Sequence, residues 1–139
     1  MAQKYFVDTL IYRDYYENRR DNLRPLGEWA LDFFKSIAQQ EGEILYCDLV
    51  IKEIAIQYNA DVIASIFSTI AKFAALVKIK PTFKQKSEAG KLKKERKVPF
   101  ADALYAVIAR DNNAIIVSRD NHFSILSDIA IARKPEELI

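Results

Sequence analysis

The chain has 139 residues and a formal net charge of +2, with 50% hydrophobic and 29% charged residues, which indicates one folded domain over residues 1–139 and excludes a disordered protein. Because Cys47 is the single cysteine, an internal disulfide and a cysteine metal cluster are excluded. No signal-peptide pattern opens the sequence and no apolar run reaches the ~18 residues that a membrane span needs, so we expect a cytoplasmic protein without membrane contact.

The first half of the sequence alternates short strand-like runs with longer helical patterns. The predicted strands are Lys4–Val7, Glu43–Tyr46 and Ala75–Ile79. The predicted helices begin near Thr9, cover Leu26–Gln40 after Pro25, cover Leu49–Tyr58 after an Asp48 cap, and run from an Asn59 cap to about Phe73.

The second half continues this alternation. Its predicted elements are a basic helix Phe83–Arg96, a helix from Pro99 to about Arg110, a turn at Asn112–Asn113, a buried strand Ala114–Val117, a short helix from about Asn121 and an edge strand Asp128–Arg133. Strands that alternate with helices predict an α/β fold, with a doubly wound, mostly parallel sheet of four to five strands and helices on both faces. In such sheets, ligands bind at the carboxyl ends of the strands.

One segment is strongly basic. Between Lys84 and Lys97 the chain carries seven Lys or Arg residues and two Glu residues. A basic segment on a mildly acidic remainder suggests an anionic partner, but lysines on a solvated helix face would give the same composition. Charge alone leaves both interpretations open.

Four carboxylates occupy unusual places in the predicted fold. Asp8 and Asp120 directly follow the first and fourth strands, where helix capping would also explain them. Asp102 and Glu53 lie on the apolar faces of their helices, which should point toward the sheet. A buried carboxylate costs several kcal/mol unless it is paired or binds a cation. The helix dipole lowers that cost more for Asp102 than for Glu53.

We expect these four acids to converge on one crevice and share a divalent cation. A set of oxygen ligands favours Mg²⁺ or Mn²⁺ over zinc. Without a cation, the clustered carboxylates would raise one another's pKa. Such a site suits metal-assisted phosphoryl chemistry, in which one ion, or a pair about 4 Å apart, activates water.

Four segments, in this order and at these separations, resemble the PIN-domain family of ribonucleases, which includes the VapC-like toxins. They are YFVDT at Tyr5–Thr9, LVIKE at Leu49–Glu53, VPFADALYA at Val98–Ala106 and AIIVSRDNHF at Ala114–Phe123. The resemblance covers nearly the whole chain. It departs at Leu10, where the family often has Asn or Ser, and at Ala101 and Tyr105, where it often has Gly and His.

The resemblance implies a PIN-like sheet, dependence on Mg²⁺ or Mn²⁺, and hydrolysis of RNA phosphodiester bonds by a metal-activated water. It implies metal-binding and catalytic roles for Asp8, Glu53, Asp102 and Asp120, with supporting roles for Thr9 and Ser118. It also implies frequent homodimers and, for toxins, inhibition by a partner antitoxin. Nearby basic residues are candidates for RNA contact: Arg119, Lys91, Lys93, Lys94, Arg96 and Lys97.

Two side chains near Asp120 have alternative interpretations. Arg119 could hold the scissile phosphate, because a guanidinium matches phosphate oxygens, or it could pair with a local carboxylate. His122, the single histidine, is expected to be a surface residue that opens a helix, with a phosphate contact as the alternative. A Ser–His–Asp mechanism has no support in this sequence.

Other function classes stay open or are disfavoured. The main alternatives are a non-catalytic PIN module that binds RNA or protein, and a structure-specific DNA nuclease. Aspartyl-phosphate chemistry at Asp8 is disfavoured, because Leu10 stands where haloacid-dehalogenase-like enzymes usually need a second Asp. The acidic pattern of receiver domains is absent from the sequence.

Overall fold

Within residues 2–139, which the computed structural model describes, the chain forms five strands, seven α-helices and a final 3₁₀ turn at Pro135–Glu137. The strands are β1 (Lys4–Val7), β2 (Glu43–Tyr46), β3 (Ala75–Lys78), β4 (Ala114–Val117) and β5 (Ala132–Arg133). The helices are α1 (Thr9–Glu17), α2 (Leu26–Gln40), α3 (Asp48–Ile54), α4 (Ala60–Ile70), α5 (Phe83–Arg96), α6 (Phe100–Asp111) and α7 (His122–Ile125).

All five strands run parallel, in the order β3-β2-β1-β4-β5. This confirms the predicted α/β fold with a parallel sheet. The chain builds outward from β1 in two directions, so the strand order reverses between β1 and β4, where Val7 pairs with Val117. In open α/β sheets, the crevice at this reversal is where ligands bind.

The core is formed by the central strands and by α6. Phe6, Val7 and Ile116 are fully buried, as expected for parallel strands covered on both faces. Residues 102–109 of α6 are all buried, and α5 packs against this helix. Only Gln85, Ala89 and Leu92 of α5 are buried, so α5 shields α6 while it exposes its own lysines. Among the described helices, none has both the length and the apolar character that a bilayer span requires.

The start of α3 differs from the prediction. The sequence predicts an Asp48 cap, but Cys47 occupies the cap position with an extended backbone and Asp48 is the first helical residue. The Asp48 carboxylate instead pairs with Lys78 at the end of β3, with 2.8 Å between Nζ and Oδ1. The predicted Asp48 cap is therefore wrong. An acid in the first turn still interacts favourably with the helix dipole.

Four predicted elements are shorter in the structure: α4 ends at Ile70 and β3 at Lys78, and the two larger differences concern α3 and the last strand. Helix α3 ends at Ile54 and residues 55–57 form turns, before Asn59 takes an extended conformation (φ −77°, ψ 171°) and caps α4 as predicted. The predicted edge strand from Asp128 is reduced to β5. Asp128 is held instead by Arg96 of α5, at 2.5 Å between Oδ1 and Nη1.

Candidate functional site

The first carboxylate lies at the junction of β1 and β4. Asp8 continues the strand pairing, because its backbone N–H donates to the Val117 carbonyl at 2.9 Å. Its side chain accepts hydrogen bonds from Ser118 Oγ and from the backbone N–H of Thr9, both at 2.8 Å. The residue is only 7% exposed. Both of its carboxylate oxygens are therefore oriented by neighbouring groups.

Glu53 reaches the same edge of the sheet from α3. Its Oε1 accepts hydrogen bonds from Thr9 Oγ1, at 2.9 Å, and from the Tyr105 hydroxyl. Tyr105 is fully buried on α6. Burial, together with the hydrogen bond to Glu53 and its negative charge, raises the pKa of Tyr105. Tyr105 thus remains a neutral donor that orients the Glu53 carboxylate.

Three further groups meet between α6 and α7. Asp102 lies in the first turn of α6, where the helix dipole favours its charge, and it is 7% exposed. His122 opens α7, and its Nδ1 lies 3.0 Å from Asp102 Oδ2 and 3.0 Å from Asp120 Oδ1. Asp120 also accepts the backbone N–H of His122 at 2.9 Å. One donor atom from each of these three residues lies within 4.8 Å of the other two, a grouping that could hold a metal ion.

The four predicted acids line one cavity of about 230 Å³: Asp8, Glu53, Asp102 and Asp120. Arg13 is also part of its wall, and the other lining residues are uncharged. The cavity opens at the carboxyl edge of the sheet beside β1 and β4. The structure thus brings together four carboxylates that are separated widely in the sequence.

This crowding affects the ionisation of the buried acids. Burial raises the pKa of Asp8 to about 7, and the charges of Asp102 and Glu53 add to this effect, while the two hydrogen bonds that Asp8 accepts oppose it. The pKa of Asp102 is raised to about 6, first by burial and then by the charge of Asp120, with His122 acting in the opposite direction. A divalent cation would relieve this repulsion, and carboxylate oxygens are ligands that such an ion accepts.

The family model of the PIN domain matches residues 5–129. The chain belongs to the PIN domain family. PIN domains are nucleases that use divalent metal ions. The predicted resemblance is thereby confirmed, and the acid-lined cavity lies where the PIN domain fold reverses its strand order.

Solved structures of similar fold include VapBC2 from Rickettsia felis bound to a DNA fragment from their promoter, at 15% identity, with 95% of this chain and 98% of that chain covered and a TM-score of 0.67. PAE2754 from Pyrobaculum aerophilum is 19% identical, with 99% of this chain and 95% of that chain covered and a TM-score of 0.58. FitAcB from Neisseria gonorrhoeae is 15% identical, with 94% of this chain and 97% of that chain covered and a TM-score of 0.59. Among proteins of curated function, none matches the sequence significantly.

Both arginines predicted to contact RNA are engaged in ion pairs within the chain. Arg119 donates two hydrogen bonds to the Glu136 carboxylate, at 2.7 and 2.9 Å, and its side chain is 15% exposed. Arg96 likewise binds both oxygens of Asp128, at 2.5 and 2.9 Å. Of the two interpretations of Arg119, phosphate contact or pairing with a local carboxylate, the structure shows the pairing, with Glu136. RNA would have to compete with both pairs.

The predicted lysines have a different environment. All four are exposed on α5 or directly after it: Lys91, Lys93, Lys94 and Lys97. Lys97 ends α5 in a left-handed conformation (φ 54°), and the next helix begins within three residues and carries Asp102 in its first turn. The basic end of α5 is thus directly linked to the acid-bearing helix. Contact of these lysines with RNA stays a prediction.

Two neighbours of the acids are not assigned their roles by the sequence. Tyr105 is a departure from the family pattern there, and its contact with Glu53 spans 52 residues, beyond any local signal. His122 is predicted at the surface, and 43% of its side chain is indeed exposed, but its Nδ1 faces two acids. The spacing from Asp120 is the usable signal, because an Asp side chain often accepts the N–H two residues later and turns that residue toward itself.

Proposed function

We propose that this PIN domain is a metal-dependent endoribonuclease, with Asp8, Glu53, Asp102 and Asp120 as its metal-binding and catalytic residues. The observation that carries the proposal is the convergence of these four carboxylates on one cavity, with two of them buried and less acidic than usual. Carboxylate oxygens in such a set suit Mg²⁺ or Mn²⁺. The cavity lies at the ligand-binding edge of a doubly wound sheet.

The chain's own residues would position the reaction. A divalent cation held by the four carboxylates supplies a more acidic water and stabilises negative charge on the phosphate oxygens. Ser118 fixes the orientation of Asp8, and Thr9 holds both Asp8, through its backbone, and Glu53, through its hydroxyl. Arg13, on the cavity wall, offers a guanidinium to a substrate phosphate. The same guanidinium also pairs with Glu17, with 2.9 Å between Nε and Oε2.

The test is cleavage of end-labelled structured RNA in Mn²⁺ or Mg²⁺, repeated in EDTA. We expect discrete, metal-dependent cleavage that disappears in Asp8→Asn and Asp102→Asn. Asp32→Asn is the matched control, because Asp32 is an exposed aspartate of α2 that does not line the cavity. Cleavage that survives both cavity substitutions would mean that the activity lies elsewhere.

Other outcomes favour the alternative functions. A folded, metal-bound protein that cuts none of a broad RNA panel would favour a non-catalytic module that binds RNA or protein. Preferential cutting of branched DNA over RNA would favour a structure-specific DNA nuclease. The raised pKa values of two cavity acids support the catalytic proposal over a binding module, since perturbed carboxylates in a cleft are typical of catalytic sites.

The same proposal includes a biological role as the toxin of a toxin–antitoxin pair. It is supported by the likeness to VapBC2 and FitAcB over nearly the whole chain. We expect induction of the protein to arrest growth, Asp102→Asn to abolish the arrest, and a co-expressed antitoxin to suppress both arrest and cleavage. A homodimer is expected as well, and light scattering should then give twice the chain mass of 16.0 kDa.

A further inference from the structure

We propose that His122 is a direct ligand of the bound cation through Nδ1, and that this nitrogen makes the site favour a first-row transition ion such as Mn²⁺ over Mg²⁺. The inference rests on the proposed function, since it concerns the same site. His122 is the only histidine in the sequence, and its ring nitrogen joins a site whose other predicted ligands are carboxylate oxygens.

The distances between donor atoms support this role. Ligands at neighbouring corners of an octahedral ion lie about 3.0 Å apart when each is about 2.1 Å from the ion, and opposite ligands lie about 4.2 Å apart. Nδ1 of His122 is 3.0 Å from Asp102 Oδ2 and 3.0 Å from Asp120 Oδ1. The two carboxylate oxygens are within 4.8 Å of each other. Both nitrogen–oxygen distances therefore already match those of neighbouring ligands around one ion.

The backbone also holds the imidazole in this place. The His122 N–H donates to Asp120 Oδ1 at 2.9 Å, so the histidine and the acid are fixed to each other. Asp120 is fixed in turn, because its own N–H donates to Ser118 Oγ at 2.9 Å. The following residue, Phe123, is buried in the core. Ion binding thus requires no large movement of the ring.

The donor type determines the preference for the ion. Mg²⁺ favours oxygen ligands and gives up its waters reluctantly, whereas imidazole suits transition ions better. Asp8, Glu53, Asp102 and Asp120 alone would form an all-oxygen site that accepts either Mg²⁺ or Mn²⁺. The nitrogen of His122 adds selectivity to that site. Coordination through Nδ1 leaves the ring proton on Nε2, in a side chain that is 43% exposed.

The direct test is electron spin-echo spectroscopy of Mn²⁺ bound to protein whose histidine carries ¹⁵N. Because the chain has one histidine, any directly bound imidazole nitrogen is assigned without ambiguity, provided that the purification tag contains none. We expect a nitrogen coupling that changes pattern on ¹⁵N labelling and is absent in His122→Ala and His122→Asn. Loss of the signal in either variant does not depend on RNA cleavage.

Metal affinities provide the second readout, with Mg²⁺ measured by displacement of Mn²⁺. Asn at position 122 can place an oxygen close to the position of Nδ1. His122→Asn should therefore weaken Mn²⁺ about tenfold but change Mg²⁺ less than about threefold, whereas His122→Ala should weaken both ions. Ser124→Ala, an exposed change in the same helix, should alter neither affinity.

The outcomes separate this inference from the proposed function. Wild-type protein that binds Mn²⁺ without a nitrogen coupling would overturn the inference, as would equal weakening of the two ions in His122→Asn. If Asp102→Asn leaves Mn²⁺ binding unchanged, the metal site of the proposed function is itself wrong. If Asp102→Asn removes Mn²⁺ binding while His122→Ala does not weaken it, only the role of His122 fails.

Discussion

Two clusters of charged side chains, each at least partly buried, include neighbouring residues that directly follow β4, Arg119 and Asp120. The acid cavity, defined by Asp8, Glu53, Asp102 and Asp120, has no Lys or Arg in an ion pair with any of these acids within residues 2–139. The arginine clamp consists of Arg119 with Glu136, at 2.7 Å, and Asp14, at 3.6 Å. Its guanidinium also packs over the ring of Trp29, with 5.6 Å to the centroid.

The comparison shows that neighbouring residues can have opposite energetic roles. Arg119 and Asp120 are adjacent, yet Arg119 pairs with carboxylates inside the fold, whereas Asp120 lies among other carboxylates with only His122 as a possible counter-ion in the described part of the chain. Breaking a buried pair leaves an uncompensated charge and destabilises the protein. Removing one of several crowded acids relieves repulsion instead. The acid cavity should therefore be dispensable for folding and essential for activity, and the arginine clamp the reverse.

The largest expected effect is on the activity of the acid cavity. Asp102→Asn should lower the initial rate of RNA cleavage about 10³-fold, because a lost metal ligand removes several kcal/mol of transition-state stabilisation. The same variant in EDTA should melt at the wild-type temperature or above it, since a buried, repelled carboxylate is gone. A much lower melting temperature in EDTA would contradict the comparison. Cleavage rates and thermal unfolding of one preparation provide both numbers.

The next effect is on the stability of the arginine clamp. Arg119→Met should lower the free energy of unfolding by about 2 kcal/mol, because the partly buried Glu136 loses its partner and the buried Asp14 keeps only Arg19, at 3.7 Å. Mn²⁺ affinity should change little by comparison. Urea denaturation measures the loss, with Arg133→Met, an exposed arginine of β5, as the control. If both variants are equally stable, the clamp is not a structural element.

A smaller effect concerns pH and metal. Asp8 and Asp102 have pKa values of about 7 and about 6, above the ordinary value of 3.8. Their protonated forms stabilise the fold, so this contribution is complete below 3.8 and is lost as the pH rises through 6 to 7. The pKa of His122 is also raised, because partial burial lowers it less than Asp102 and Asp120 raise it. Its protonated form therefore stabilises the fold as well, and this stability is likewise lost as the pH rises.

We therefore expect the free energy of unfolding in EDTA to fall by on the order of 2 kcal/mol between pH 5 and pH 8. Saturating Mn²⁺ should recover stability at pH 8, because it binds the folded state. Urea denaturation at several pH values measures both quantities. The Asp102→Asn variant should show a shallower decline. A profile in EDTA that is flat, or that rises with pH, would contradict the raised pKa values.

The acid cavity could be predicted from the sequence because its signals are local. Asp8 and Asp120 each follow an apolar run, and a parallel sheet brings the ends of such runs to one edge. Glu53 and Asp102 stand out because they interrupt apolar helical periodicity. Each signal needs only a few neighbouring residues, so the convergence of the acids could be predicted without tertiary information.

The arginine clamp could not be predicted in the same way. Glu136 follows Arg119 by 17 residues and Asp14 comes from α1, so their meeting depends on how the 3₁₀ turn docks beside α2. The sequence therefore leaves two partners for Arg119, phosphate or carboxylate. The Asp48 cap is wrong for a related reason. The strand that precedes it determines where the helix begins, and Lys78 on β3 attracts its carboxylate.

The smallest expected effect is on RNA binding, and it concerns a third kind of charge, which is exposed and unpaired. Lys93 and Lys94 are exposed on α5 and make no ion pair within the described part of the chain. Changing both to Gln in an Asp102→Asn background, which should bind RNA without cutting it, should weaken RNA binding a few-fold. If each lysine contacts one phosphate, the slope of the logarithm of the binding constant against the logarithm of the salt concentration should become less steep by about 1.4. This is the value expected for two lost contacts with single-stranded RNA.

The control for this change is Lys35→Gln with Lys72→Gln, which removes the same charge from exposed lysines elsewhere. Fluorescence anisotropy at several salt concentrations separates the two pairs. Equal weakening in both would indicate that RNA responds to net charge alone and that α5 has no special role. Selective weakening by the α5 pair, with the free energy of unfolding unchanged, would instead define three uses of charge here. Paired charge would stabilise the fold, crowded charge would bind a metal, and free charge next to the acid-bearing helix would bind the substrate.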